Sequence, residues 1–379
     1  MTKKKVARIA VGAVAATAAF ALTACNTTIE SGSPGGGSGD SGGDYYAGKT
    51  VTLLVPFAPG GGADTTARLL APLLEDHIPG NPTVIVENRG GGGSITGTNY
   101  FANQAPHDGT VILVSSGSTH SAFALGDPTI DFDFADMTPV LGLPFGGALY
   151  VSSNTGIKQP ADIVKPPAVP LVFAGENPSG GDLRRLLALD LLGVKYQAVF
   201  GYEGAGDSSL AFDRGEATIS TDSILPYQQQ VVPQIEAGKV VPIMSTGVIE
   251  DGQLKRVPGL PDLMTPAELF TQITNNPAQG PDWNALAMLT ACGDSLSKAV
   301  WFHNDAPPQA VDAVRGAIDE MFTDPESRKQ LEDELAGNEP LLGEDLDNAI
   351  TAMTDPDPAA KKWLQGYLVD RWDYPPFPS

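Results

Sequence analysis

The stretch from Val51 to His77 limits the choice of fold more than any other part of the chain. Val51-Thr52-Leu53-Leu54-Val55 is aliphatic and β-branched without alternation. That pattern predicts a strand buried on both faces of a mostly parallel sheet. Pro56-Phe57-Ala58-Pro59-Gly60-Gly61-Gly62 cannot continue the strand, because two prolines lack donors and three glycines loosen the backbone. Ala67, Leu70, Ala71 and Leu74 then recur at helical spacing, with Asp64 and two threonines near the start. Pro72 predicts a kink or an early end to that helix. The order strand, glycine corner, helix sets unpaired N–H groups at a helix N-terminus beyond a strand's carboxyl end, a place that favours an anion. Phe57, Ala58, Gly60, Gly61, Gly62, Ala63 and Asp64 are therefore candidate binding residues. Asp64 reads equally well as a helix cap.

A chain of 379 residues with 42% hydrophobic content can fill two ordinary domains. Residues 1–24 are of another kind: Lys3, Lys4, Lys5 and Arg8 precede an alanine-rich apolar run from Ile9 to Leu22. This predicts an export signal, too short for an ordinary spanning helix. Leu22-Thr23-Ala24-Cys25 resembles the lipobox of bacterial lipoproteins, which implies cleavage before Cys25 and lipidation of that cysteine. Asn26 to Asp44 is rich in glycine and serine, so residues 25–46 read as a flexible, lipid-anchored linker. Gly39-Asp40-Ser41-Gly42-Gly43 matches the surroundings of a serine-protease nucleophile, but it lies in low-complexity sequence with no scaffold to align a base. With Cys25 acylated, Cys292 has no disulfide partner and reads as a small buried hydrophobe. Loss of the four positive charges of the leader takes the formal net charge from −22 to −26. Such acidity argues against a nucleic-acid partner. It does not exclude an anionic ligand, because a pocket lined by N–H groups sets its own local potential.

Further along, Thr83 to Val86 and Thr110 to Val114 read as strands joined by glycine-rich and polar connections. The third strand runs into Ser115-Ser116-Gly117-Ser118-Thr119-His120, where hydroxyls and an imidazole would meet the first corner. Ser116, Gly117, Ser118, Thr119 and His120 join the candidates. Repeated strand–helix–strand units indicate a parallel α/β sheet. Pro139 to Pro144 with Gly146-Gly147 predicts a crossover. A second α/β set follows at Ala148 to Val151, Leu171 to Ala174, Tyr196 to Phe200 and Val241 to Met244.

The run Val55 to Arg68, then Val86-Glu87-Asn88-Arg89 with its glycines, Ala105-Pro106-His107-Asp108-Gly109 and the Gly117 to His120 loop resemble the solute-binding proteins of tripartite tricarboxylate transporters, the Bug/TctC family. Val199 to Gly206, Asp213, Gly215, Glu236 to Val240 and Asp324-Pro325-Glu326 extend the resemblance across roughly Lys49 to Met353, while Glu250 to Asn304 departs from it. The resemblance implies a two-lobed α/β periplasmic-binding-protein fold of the type II, Venus-flytrap kind, with discontinuous lobes: residues 47–145 and 290–379 in the first, 146–289 in the second, and Pro308 to Phe322 as an outer helix of the first. It also implies an extracytoplasmic monomer that captures a small carboxylate and passes it to integral membrane transporter subunits.

In the second lobe, Gly175, Asn177, Ser179 and Gly180 form another loop at a helix start. Family position adds Tyr202, Gly204, Asp207 and Asp222. Asp182 stands where members commonly carry histidine, and Glu176 is close by. Both read best as helix caps. If they faced the pocket they would disfavour an ordinary dicarboxylate and leave room for an amino acid. No catalytic set, cofactor motif or metal signature emerges. The four histidines are scattered, and Asp131, Asp133 and Asp136 lack the glycine and glutamate of a calcium loop. The rival readings are an exported hydrolase using Ser116 or Ser208 with His120, and a ligand-sensing lipoprotein without transport.

Overall fold

The apolar run around Leu53 forms strand β1 (Thr50–Val55), in which Val51, Leu53, Leu54 and Val55 are fully buried. The structure is a computed structural model and describes residues 45–202, 205–250, 252–335 and 337–377. The expected leader, Cys25 and the linker as far as Asp44 lie outside the described residues. The linker's expected end at residue 46 falls inside the folded part: Tyr46 is fully buried and its hydroxyl donates to the Gly109 carbonyl at 2.7 Å.

With β1 run β2 (Thr83–Asn88), β3 (Val111–Ser116) and β4 (Met137–Leu143) in a first sheet. A second sheet holds β5 (Gly147–Ser152), β6 (Val172–Gly175), β7 (Gln197–Phe200), β8 (Ile219–Ser223) and β9 (Val240–Ser245). A short hairpin, β10 (Val248–Glu250) and β11 (Gln253–Lys255), precedes the return of the chain to the first sheet as β12 (Lys298–His303). The strand orders are the same in both lobes: β2-β1-β3-β12-β4 and β7-β6-β8-β5-β9.

Both sheets are mixed, which corrects the parallel expectation. β12 runs antiparallel to β3 and β4, and β5 runs antiparallel to β8 and β9. The cause is connectivity. A strand that has just crossed between lobes starts at the ends where its parallel neighbours finish: Lys298 pairs with Ser116, and Gly147 with Ser223. It must therefore run the other way. The crossover is also shorter than expected, because Pro139 to Leu143 belongs to β4. Pro139 is tolerated there because β4 is an edge strand with a register shift opposite it.

Helix α1 (Gly62–His77) runs unbroken through Pro72. Pro72 is on the exposed side, so water can take the carbonyl that its missing N–H would have used. α2 (Ile95–Asn103) and α3 (Gly117–Leu125) complete the first lobe's leading units, and α4 (Leu183–Leu191) and α5 (Ala205–Asp213) those of the second. The lack of alternation in β1 is explained by cores on both faces. Val51, Leu53 and Val55 pack with α1 and the Pro308–Thr323 helix, whereas Leu54 packs with Phe101, Leu113, Cys292 and Trp301. Cys292 is free and buried, as its apolar surroundings in sequence predict. The C-terminal helix (Pro358–Trp372) buries Ala360, Leu364 and Leu368 with Leu186, Trp283 and Leu289, and also with Leu125 of α3, whose carbonyl accepts from Gln365 Nε2 at 2.7 Å.

Candidate functional site

The glycine corner is held open by its own side chains. Asp64, almost fully buried, accepts the Gly60 N–H at 2.8 Å and the Arg68 Nε–H at 3.0 Å. Burial pushes this carboxyl up, but the hydrogen bonds from Arg68 and Gly60 outweigh it and hold it below the usual carboxylate range. Asp64 thus braces the corner from behind. Gly60 has φ +87°, a left-handed turn that suits glycine. Gly61 is the N-cap of α1, and Gly62, Thr65 and Thr66 face a cleft of about 440 Å³ between the lobes. Ala58, Gly60 and Gly61 are exposed, whereas Ala63 is turned into the core.

Lys298, the first residue of β12, lines the same cleft. Its Cε lies 3.6 Å and its Nζ 3.8 Å from where a Cβ on Gly62 would stand, and Nζ donates to the Ser297 carbonyl and hydroxyl at 3.2 Å each. A full positive charge therefore sits beside the positive end of α1. Facing it are Glu176, Asp182, Arg184 and Arg185 from the loop and first turn of α4, with Ser220, Thr221, Asp222 and Ser223 from β8.

These charges are partly neutralised by one another and by Asp294. Arg184 pairs with buried Asp294 at 2.8 Å, and Arg185 lies 4.0 Å from Asp182 while donating to the Gly181 carbonyl at 2.7 Å. The Nε of Arg185 is buried without a hydrogen-bond partner. Asp222 accepts from the Tyr150 hydroxyl at 2.5 Å. Burial raises the carboxyls of Glu176, Asp182, Asp222 and Asp294. Asp182 acts as a further like charge on Glu176, and Arg184 only partly offsets the burial of Asp294. Burial likewise disfavours the charge on Arg185. The lining combines desolvated groups of both signs, a setting in which a ligand charge of the right sign is strongly felt.

Asp182 and Glu176 depart from their expected role as helix caps. Asp182 occupies the N-cap position of α4 but makes no side-chain cap bond; it closes the loop by accepting the Glu176 N–H at 2.8 Å. Asn177 accepts the N–H groups of Ser179 and Gly180, so those donors serve the loop itself.

The candidate residues divide between two adjoining cavities. Gly62 and Asp222 line the larger cleft. Phe57, Ser118, Asn177, Ser179 and Gly180 line a neighbouring cavity of about 300 Å³, with Tyr374 and Phe377 of the C-terminal tail on its wall. Glu176 and Gly181 border both. Ser116 Oγ shares a hydrogen bond with Ser118 Oγ at 2.9 Å. Gly117 is a packing glycine, since a Cβ there would come within 2.6 Å of the Gly293 backbone. Gly175 is another, with Asp182 Oδ2 only 2.5 Å from its Cβ position. Tyr202 donates its N–H to the Gly175 carbonyl at 3.3 Å and packs on the outer core of the second lobe. Asp207 is exposed on the first turn of α5, and Gly204 lies outside the described residues.

Thr119 and His120 are fully buried and line neither cavity. Thr119 pairs with Ser94 at 2.7 Å. His120 Nδ1 donates to the Leu296 carbonyl at 2.8 Å, which leaves Nε2 to accept from Ser115 Oγ at 2.6 Å, while Ser115 in turn accepts from Trp301 Nε1 at 2.7 Å. This closed chain joins β3, α3 and β12. It leaves no room for a hydrolase in which Ser116 relies on His120.

Sequence reading overlooked Lys298, Arg184, Arg185 and Asp294. Arg184-Arg185 directly after a glycine loop, in a chain with only 23 basic residues, was the available signal. Lys298 had none, because it reaches the site through strand pairing.

No family model matches the chain. Over 99 residues it is 40% identical to the protein BugT of Bordetella pertussis, a stretch covering 26% of this chain and 29% of that relative. It is 26% identical over 316 residues to a UPF0065 protein from the tcbD-tcbE intergenic region of Pseudomonas sp. strain P51, covering 80% of this chain and 83% of the relative. Among solved structures, the periplasmic binding protein BugD superposes with a TM-score of 0.60 at 23% identity, covering 85% of this chain and 97% of BugD. The R. palustris protein Rpa4515 with adipate superposes with a TM-score of 0.60 at 22% identity, covering 83% and 97%.

Proposed function

We infer, from a chain that belongs to the Bug/TctC family of periplasmic binding proteins, that it is an extracytoplasmic receptor which closes its two lobes on one small carboxylate and releases it to a membrane transporter of the tripartite tricarboxylate type. Its relatives are solute-binding proteins, and the chain is a binding protein, not an enzyme. The observation that carries the ligand class is the juxtaposition of Lys298 with the N-terminus of α1 at the cleft. Charge-assisted hydrogen bonds are worth about 1.5–3 kcal/mol each, and two or three from this wall supply enough for capture once the second lobe excludes water. Adipate in Rpa4515 shows a carboxylate accommodated on the same fold.

The facing wall narrows the choice among di- and tricarboxylates, aromatic acids and acidic amino acids. Among the described residues neither Glu176 nor Asp222 makes an ion pair within 4.0 Å, and Arg185 only partly offsets the burial of each, so they favour a ligand whose second end is an ammonium. An acidic amino acid satisfies both walls. Export, a lipid on Cys25 and the linker that follows it would keep the receptor close to its transporter. Among the described residues no helix is long and apolar enough to cross a membrane.

Thermal denaturation of the purified protein against adipate, malate, benzoate, aspartate and glutamate tests this reading. One compound should stabilise the fold by about 2.7 kcal/mol at a hundred times its dissociation constant. A flat response to every carboxylate contradicts it.

A further inference from the structure

At the far end of β12 from the cleft, two of the four histidines come together although they are distant in sequence. His107, in the turn before β3, and His303, the last residue of β12, lie with ring centroids 3.4 Å apart and planes 11° from parallel. Asp305 closes the group: its Oδ2 is 3.6 Å from His107 Nδ1 and 3.7 Å from His303 Nδ1. One ligand atom from each residue falls within 4.8 Å of the others. We propose that His107, His303 and Asp305 form a binding site for a divalent transition cation of the zinc class.

The donor set supports this class. Two imidazoles and one carboxylate suit Zn²⁺, Ni²⁺ or Cu²⁺ and leave positions for water, whereas Ca²⁺ and Mg²⁺ call for oxygen ligands. His303 is oriented for the task. A backbone hydrogen bond to Ala102 holds the ring, and the Asp305 N–H that donates to its Nδ1 at 3.2 Å is the bond an ion would displace there. A backbone bond of this kind fixes the tautomer of a metal-binding imidazole and points Nδ1 towards Asp305. Asp131, Asp133 and Asp136 line an adjoining cavity of about 430 Å³ with His303 and add a negative field. Parallel rings cannot both aim in-plane lone pairs at one ion, so one ring has to turn. His107, at 36% side-chain exposure against 17% for His303, has the room.

The test is calorimetric titration of the EDTA-stripped full chain with zinc chloride, run beside His107→Gln and Asp305→Asn. Asp305 is exposed and His107 half-buried, and the unliganded melting temperatures of both variants serve as the folding control. The expected result is one equivalent of zinc, at least tenfold weaker in each variant, with calcium chloride giving no comparable binding. Absence of stoichiometric zinc binding, unchanged affinity in the variants, or calcium bound as tightly as zinc would overturn the assignment.

Discussion

Lys298 reaches the cleft because β12 starts there, opposite Ser116 and Leu143. Replacing it with methionine keeps most of the stem's packing and removes the charge. For Lys298→Met the account expects a ten- to hundredfold loss of affinity for the captured carboxylate, which corresponds to about 1.5–3 kcal/mol for a charge-assisted bond. The unliganded melting temperature should hardly move; both quantities come from one thermal-shift series. His120 supports a different prediction. Burial brings its pKa down to about 4, from an ordinary value near 6.5. The unfolded chain then binds the extra proton between those values, so stability is complete above pH 6.5 and declines as the pH falls towards 4, by about 3 kcal/mol. Urea midpoints across that range should show the decline in the native chain and a shallower one in His120→Gln. At this scale the sequence exposed the corner glycines, of which Gly60 takes the left-handed turn that favours this residue. It concealed Lys298 and the buried arrangement of His120, since both are set by partners far along the chain.

Among the elements, the glycine positions separate site from scaffold. At Gly62 a methyl group would make only ordinary contacts with Lys298, so Gly62→Ala should fold normally and act on ligand affinity alone. Gly117 begins α3 against the turn at Gly293, where a Cβ meets backbone at 2.6 Å that cannot rotate away. Gly117→Ala should cost roughly 1–3 kcal/mol of stability by overpacking, measured as a lower urea midpoint. Strands were readable wherever an aliphatic run is buried on both faces, as β1 and β3 are. β4 was not, because Pro139 argues against a strand unless its edge position is already known. The reversal of β12 and β5 was equally hidden: direction follows from where the chain enters the sheet, and no local residue pattern encodes that.

The whole molecule consists of two lobes of one design, exchanged through β5 and β12 and tied again at the C-terminus. The Pro358–Trp372 helix closes the second lobe's core, which no local pattern announced beyond its own apolar residues. Leu364 is fully buried there, so Leu364→Ala should destabilise the protein by about 2–5 kcal/mol in denaturant titration. On the proposed reading closure would be the functional state, because neither wall of the cleft alone satisfies both ends of the proposed ligand. The most direct measurement is a crystal structure of the protein grown with the carboxylate that stabilises it most. The account predicts that the carboxylate lies between Lys298 Nζ and the first amides of α1, with its other end against Glu176 and Asp222. A ligand seated elsewhere, leaving that cleft to solvent, would contradict it.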